Sequence, residues 1–484
     1  MNSVQEVVQH FRSQPKKLAL WTIQEGEISF GELGEQIGRA QAALRSHGVQ
    51  AGDSVLILEF PGPRLFASVI AVLGLGASCI LVEPWMPISH IDHVVKKVKP
   101  KVFIANTFGR LWGVRVPSIR AIPHWTSGAK LLHGTGTVSG GVHAESIDAG
   151  MPAMIAFSSG TSGKPKGVVR SHGYLVDTHH ILTSEAKDDQ FPEPDLAVFP
   201  NIGLFHITTG RGALLVPHSW SARGLKKVAA AASKYRPATL SCGPAFLLKL
   251  FEQPGFESLR TLYVGGALTD CWIFEKAFER WKNSRITHIY GGTEAEPVSY
   301  GDARTAVRES QARGFFQTLQ LGSPIGAIRY QLGDEGAWVA GGNVCGEYVG
   351  TGAENDVDEN KLFKRRDVDG TLWHFMGDRL RQESSGTSPT FWYEGRSFQK
   401  REDFMLEQSV YSLLQSSRSF LVRRPAGEVG GELWLAGEGV SRRAAEIRRQ
   451  FPLIQAVKEI SIVRDRRHRA RIDRARSLKK GGLS

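Results

Sequence analysis

Ser158-Ser159-Gly160-Thr161-Ser162-Gly163-Lys164-Pro165-Lys166-Gly167, entered by the apolar run Met154-Ile155-Ala156-Phe157, decides how this chain is read. These ten residues hold three glycines, four hydroxyls and two lysines. Glycines let main-chain N–H groups approach an anion closely, hydroxyls donate further hydrogen bonds, and lysines add positive charge. The pattern is that of a polyphosphate cradle. It is not the GxxxxGK[ST] loop, because two residues separate Gly160 from Gly163 and Lys164 is followed by Pro165. Pro165 pushes Lys164 toward an extended conformation, so the loop is predicted to return into a strand, Val168-Val169-Arg170.

Downstream, the pattern from Pro237 to Glu294 reads strand, helix, strand, helix, strand. Ala238–Cys242 is a buried strand, and Gly243-Pro244 starts a helix over Ala245–Phe251 with proline in its first turn. Leu259–Val264 is the next strand, followed by a helix to about Trp281 that Thr269 or Asp270 can cap. Ile286–Tyr290 is the third strand. Such alternation predicts an α/β fold with a parallel sheet and flanking helices, whose ligands gather at the carboxyl ends of the strands. The turns Gly243-Pro244, Gly265-Gly266-Ala267 and Gly291-Gly292-Thr293-Glu294 all lie at such ends. The first 150 residues repeat the style, with a helix to about Ser46, a strand at Ser54–Leu58 and another ending at Val82. Arg379–Thr390 is polar and without apolar periodicity, which suits a linker or surface loop.

The chain's 484 residues suggest about three domains by length, and its 41% hydrophobic and 22% charged content is ordinary for a globular protein. The apolar run Phe66–Leu75 is half the length needed to span a bilayer, so no transmembrane segment is expected. The first residues lack the basic start and apolar core of a signal peptide, and the four dispersed cysteines fit a reduced cytoplasm. Net charge is +12, of which +7 lies between Arg464 and Lys480. That segment has no Phe, Tyr or Trp to interleave with bases, which disfavours nucleic acid and leaves a solvated basic face or charge serving an anionic substrate.

The signature loop closely resembles that of the adenylate-forming superfamily of AMP-dependent synthetases and ligases, which includes acyl-CoA synthetases, luciferases, peptide-synthetase adenylation domains and olefin β-lactone synthetases. The resemblance implies a large N-terminal domain, residues 1–378, of parallel and mixed sheets with flanking helices, and a small mobile α+β C-terminal domain, residues 379–484. It also implies activation of a carboxylic acid on the α-phosphate of ATP with Mg²⁺. Ser158, Thr161, Ser162, Gly163 and Lys166 then grip the phosphates. Gly265, Gly266 and Ala267 resemble the adenine-side turn. Tyr290-Gly291-Gly292-Thr293-Glu294, about 130 residues after the loop, resembles the YGxTE motif. Within it Tyr290 and Gly291 face adenine, Thr293 offers a hydroxyl to phosphate and Glu294 holds the metal. Met376-Gly377-Asp378 resembles the motif whose aspartate bonds the ribose hydroxyls, and Gly395-Arg396 the start of the hinge motif whose arginine touches ribose or phosphate. His206 falls in the segment beside the acyl pocket.

Two departures matter. Phe398 stands where the hinge motif carries Asp or Lys, and no glycine occurs in Gln399–Ser409, which should line the path of coenzyme A. Arg471 stands where a catalytic lysine is expected, and a planar fork does not replace a compact ammonium. Arg471, His206 and Thr293 are thus the catalytic candidates. The acyl acceptor is left open between coenzyme A, a carrier protein and the acid's own β-hydroxyl, the last suggested by Arg-His-x-Ala-x-Ile and by Glu83-Pro84-Trp85-Met86-Pro87, which look nearest to olefin β-lactone synthetases and fatty-acid ligases. The competing reading is a nucleotide-binding relative with weakened or lost catalysis, acting as partner or regulator. Lys166→Ala is expected to remove one charge-assisted contact to phosphate, about 1.5–3 kcal/mol, and so to raise the ATP dissociation constant roughly 10- to 100-fold in a calorimetric titration. An unchanged constant would take the loop out of the site.

Overall fold

The computed structural model describes residues 1–82, 86, 88–133, 141–158, 166–186, 192–217, 220–349, 358–385, 388–424, 432–464 and 472–481. Two sheets organise the bulk of these residues. The larger has eleven strands, in the spatial order Gly26–Ser29, Leu18–Thr22, Ala213–Leu215, Asp195–Ala197, Thr239–Cys242, Thr261–Gly265, Arg285–Gly292, Ala295–Asp302, Gln320–Pro324, Ser388–Arg396 and Asp378–Ser385. Its six central strands, from Leu18–Thr22 to Arg285–Gly292, run parallel. The expected strand–helix alternation is present, with helices Pro244–Leu250 and Cys271–Arg280 at the expected places and Pro244 in the first turn. Asp270 stands at the N-cap, but its carboxylate makes no cap bond; it accepts from Ser417 Oγ at 3.0 Å and Gln317 Nε2 at 3.2 Å.

The second sheet has seven strands, and in it Lys166–Ser171 pairs antiparallel with Pro152–Ser158. The chain after Pro165 thus returns as a strand, as the proline implied. Between the sheets lies helix Pro63–Gly74, in which every residue except Arg64 is buried. One core joins it to Leu20 and Leu215 of the large sheet and to Val55, Ile57 and Cys79 of the second. A helix apolar on all sides is stable in water only when covered all round, so the run Phe66–Leu75 serves the core. Helix Phe30–Ser46 packs beside it, started by a capping box in which Ser29 and Glu32 bond one another's backbone. No helix among the described residues is long and apolar enough to cross a membrane.

The expectation of a linker over Arg379–Thr390 is corrected. Asp378–Ser385 and Ser388–Arg396 form a hairpin that extends the edge of the large sheet, so the boundary expected between Asp378 and Arg379 falls inside a strand. Arg381 and Glu383 supply the polarity, pairing with Glu394 and Arg313 across the sheet edge. Beyond Arg396, helix Arg401–Leu414 leads to a separate three-stranded sheet, Ser419–Arg424, Glu432–Gly437 and Ala456–Glu459.

Gly322 closes a bulge that begins at Gln320, opposite Trp392 and Phe391 of the hairpin. Its φ is +78°, and a Cβ there would sit 2.1 Å from the Tyr300 carbonyl oxygen. Gly322→Ala is expected to cost about 2–3 kcal/mol, read as a lower urea midpoint, because backbone cannot move aside as a flexible side chain can.

Candidate functional site

The carboxyl ends of the central strands open into a cleft of ≈ 2750 Å³. Gly265, Gly266 and Ala267, Tyr290 to Glu294, Asp378, Arg396 and His206 all line it, so residues expected from motifs up to 190 positions apart meet at one place. Gly265 ends its strand so close to the next that a Cβ would meet the Ile289 carbonyl at 2.9 Å, and Gly266 follows at φ +86°. Only glycine lets this wall lie flat.

Asp378 is the junction of the motifs. Its buried carboxylate accepts from Tyr290 Oη at 2.7 Å and from Tyr393 Oη at 3.4 Å, and pairs with Arg396 Nη1 at 2.8 Å. Burial, and then the facing Asp378 carboxylate, push the Tyr290 phenol well above its ordinary value. Burial works against the Arg396 charge, but Asp378 together with Tyr393, Tyr290 and Glu294 outweighs it and holds the guanidinium protonated. Here Tyr290 is therefore a donor and Arg396 a fixed cation.

Glu294 accepts a long hydrogen bond from Tyr348 Oη, 3.3 Å, while its backbone oxygen accepts from Cys345 N at 2.7 Å. Tyr348 in turn pairs with Val168 of the strand that leaves the signature loop, which ties that loop's exit to the Glu294 turn. Among the described residues no group of three or more His, Cys, Asp or Glu is placed to hold a metal ion. His206, on helix Pro200–Thr208, is almost fully buried; its Nδ1 lies 3.1 Å from Asp195 Oδ2. Thr161, Ser162, Gly163 and Arg471 lie outside the described residues, and Ser158 and Lys166 are described only as strand backbone. Ile472 and Asp473, next to Arg471, line the cleft.

Arg170 was read only as part of a strand, yet it is the guanidinium that anchors the motif turn. It is 7% exposed, donates from Nη2 to the Thr293 carbonyl at 2.7 Å and lies over the Tyr174 ring at 5.2 Å. Burial opposes its charge, and Tyr174, Glu296, Cys345 and Glu294 together more than restore it. Its signal in the sequence was the alternation of the strand, which puts residue 170 on the same inward face as Val168.

The fold matches the ATP-bound structure of MatB from Rhodopseudomonas palustris with a TM-score of 0.78 over 100% of both chains at 16% identity. It also matches an AMP complex of O-succinylbenzoate coenzyme A synthetase from Bacillus subtilis with a TM-score of 0.73 over 96% of each at 17% identity. The architecture is thus that of adenylate-forming enzymes. Residues 7–352 match the model of the AMP-binding enzyme family, and the chain belongs to that family. Among curated relatives it is 25% identical to a long-chain-fatty-acid–CoA ligase of Thermus thermophilus, over 66% of this chain and 63% of the relative. It is 26% identical to the olefin β-lactone synthetase of Xanthomonas campestris pv. campestris, over 57% and 52%. The matched region spans half to three fifths of these relatives' length.

Arg170→Lys keeps the charge and loses the fork. It is expected to lower stability by about 1.5–3 kcal/mol and to speed amide exchange across residues 291–296, measured by deuterium uptake. Unchanged exchange there would mean that Thr293 is held by something else.

Proposed function

We propose that this protein activates a carboxylic acid, fatty or hydroxy-acyl, with ATP and Mg²⁺ to an acyl-adenylate. It then passes the acyl group to a thiol such as coenzyme A or a carrier protein, or closes it on the acid's own hydroxyl to a β-lactone. The observation that carries this reading is the junction at Asp378, where the Tyr290 motif, the Gly377-Asp378 motif and Arg396 converge in one cleft beside the strand that leaves the signature loop. A carboxylate oxygen of the acid attacks the α-phosphorus as pyrophosphate departs, and two anions must be brought together for that. Arg396 and, by the resemblance of its sequence segment, Arg471 supply positive charge; Thr161, Ser162, Gly163 and Lys166 hold the departing phosphates. On this reading Asp378 takes the ribose hydroxyls, and Gly265–Ala267 with Tyr290 and Gly291 receive adenine. Glu294, a cleft-lining carboxylate whose side chain accepts one long hydrogen bond among the described residues, suits Mg²⁺, which usually takes one or two protein carboxylates plus phosphates and waters. When bound, that ion neutralises phosphate charge. We place the enzyme in the cytoplasm. The unit after Arg396 is proposed to move as a body on the hinge around Arg396–Lys400.

A second reading, a relative with weakened catalysis, is favoured by Phe398, which lines the cleft and is 69% exposed where the hinge motif carries a charge. Acid-dependent release of pyrophosphate from ATP and Mg²⁺ separates the two: a panel of fatty and hydroxy acids without any release would leave the second. In the active enzyme Glu294→Gln should shift the Mg²⁺ requirement upward without displacing the pH profile. Arg471→Lys should hold or raise the rate, and Arg471→Ala should abolish most of it; a fork misplaced by about an ångström can cost ~10²-fold. If neither substitution has an effect, Arg471 has no catalytic part.

A further inference from the structure

Helix Thr107–Gly113 lies on the second sheet with its glycines inward. A Cβ on Gly109 would meet the Leu58 carbonyl oxygen at 3.0 Å, and one on Gly113 the Phe103 ring at 2.7 Å. Val114 continues the helical turn at φ −59°, ψ −25°. Close seating on the glycine side turns the opposite side to solvent, where Phe108 is 76%, Leu111 64% and Val114 52% exposed. Phe60, just after the strand Ser54–Leu58, is 65% exposed. Phe60, Phe108 and the half-buried Trp112 also line the cleft, so this apolar face reaches the cleft's rim. Single exposed apolar side chains are ordinary, whereas a group of them at the mouth of a site marks a surface that something covers.

The charge around this face has one sign. From His93 to Ala144 the chain has eight Lys and Arg and no Asp or Glu. Lys96 and Lys101 are paired, with Asp92 at 2.6 Å and Asp53 at 2.7 Å. Arg110 acts on the half-buried Glu59 carboxylate across the rim. Arg115 and Arg120 are exposed and form no ion pair among the described residues. Arginines set between exposed Phe, Leu and Val match an anionic lipid surface: the apolar groups enter the acyl boundary while the guanidiniums stay at phosphate level. The basic segment after Arg464 differs, because its described residues hold no exposed large apolar side chain.

We propose that this face docks on an anionic phospholipid bilayer. Phe60, Phe108, Leu111 and Val114 enter the headgroup boundary, and Arg110, Arg115 and Arg120 lie against the phosphates. The rim of the cleft then opens at the lipid surface. The docking does not depend on the acid-activating reading; to that reading it adds a bilayer as the source of an apolar acid.

Co-sedimentation without ATP tests it, with vesicles of phosphatidylcholine alone or with about one third phosphatidylglycerol. The wild-type protein should bind the anionic vesicles at least about 10-fold more tightly, and less so as salt is raised. Leu111→Ser with Val114→Ser should weaken that binding about 10-fold or more. Arg115→Gln with Arg120→Gln should weaken it about 5-fold per charge. A polarity-sensitive dye on Leu111→Cys should shift to the blue on anionic vesicles, and the four native cysteines, all buried, stay out of its reach. Equal binding to both vesicle types overturns the proposal, as does binding that survives the Leu111 and Val114 changes or a dye that does not shift. Binding lost with Lys479→Gln and Lys480→Gln, but kept without Leu111 and Val114, places the contact on the C-terminal segment and overturns it. No vesicle binding, with capture of an acidic carrier protein that depends on Leu111, assigns the face to a protein partner and overturns it too. Absence of acid-dependent pyrophosphate release would sink the acid-activating reading and leave the vesicle result standing, so the two fail separately.

Discussion

The hydrogen-bonded junction at Asp378 is the constraint on which the cleft depends. A carboxylate sealed from water is stable as an anion only if donors and a cation meet it. Tyr290 does so from the strand Arg285–Gly292, and Tyr393 and Arg396 from the strand Ser388–Arg396, and each has to be delivered by the backbone to within hydrogen-bond reach. That requirement fixes the central strand Arg285–Gly292 against the edge hairpin Asp378–Arg396, two elements with the strands Ala295–Asp302 and Gln320–Pro324 between them in the sheet. The remaining wall follows: the Thr293 turn is held from beneath by Arg170, and Arg170 is carried by the strand that leaves the signature loop.

The parts of the fold that could be read from the sequence were those in which a local rule decides. Pro165 forced an extended exit, Pro244 marked a first helical turn, and the apolar runs at Thr239–Cys242 and Thr261–Gly265 were long enough for buried strands. Arg379–Thr390 failed because its order comes from neighbours. Between Arg379 and Ser385 the strand has a single buried apolar residue, Leu380, and is held by backbone pairing and by ion pairs to Glu394 and Arg313. Periodicity cannot report a strand whose partners are charges elsewhere in the chain. Asp270 shows the same limit: a favourable cap residue was recruited by Ser417 instead.

The site divides along similar lines. Short motifs named Tyr290, Glu294, Asp378, Arg396 and His206, and the fold brings all five to one cleft. Arg170 and Asp195 were overlooked because they touch other protein groups, Thr293 and His206, through contacts that exist only after folding. Residues that hold other residues leave little trace in a linear pattern.

The junction has a further consequence for turnover. Both Asp378 oxygens are engaged within the protein, so on the proposed reading a diol entering there would exchange one set of hydrogen bonds for another. Its net gain is a difference, smaller than the contacts it forms suggest. When the diol leaves, Tyr290 and Arg396 stand ready to reoccupy the carboxylate, so departure never strands a bare charge in the protein. Such a self-closing socket favours release, trading tightness of grip for ease of letting go.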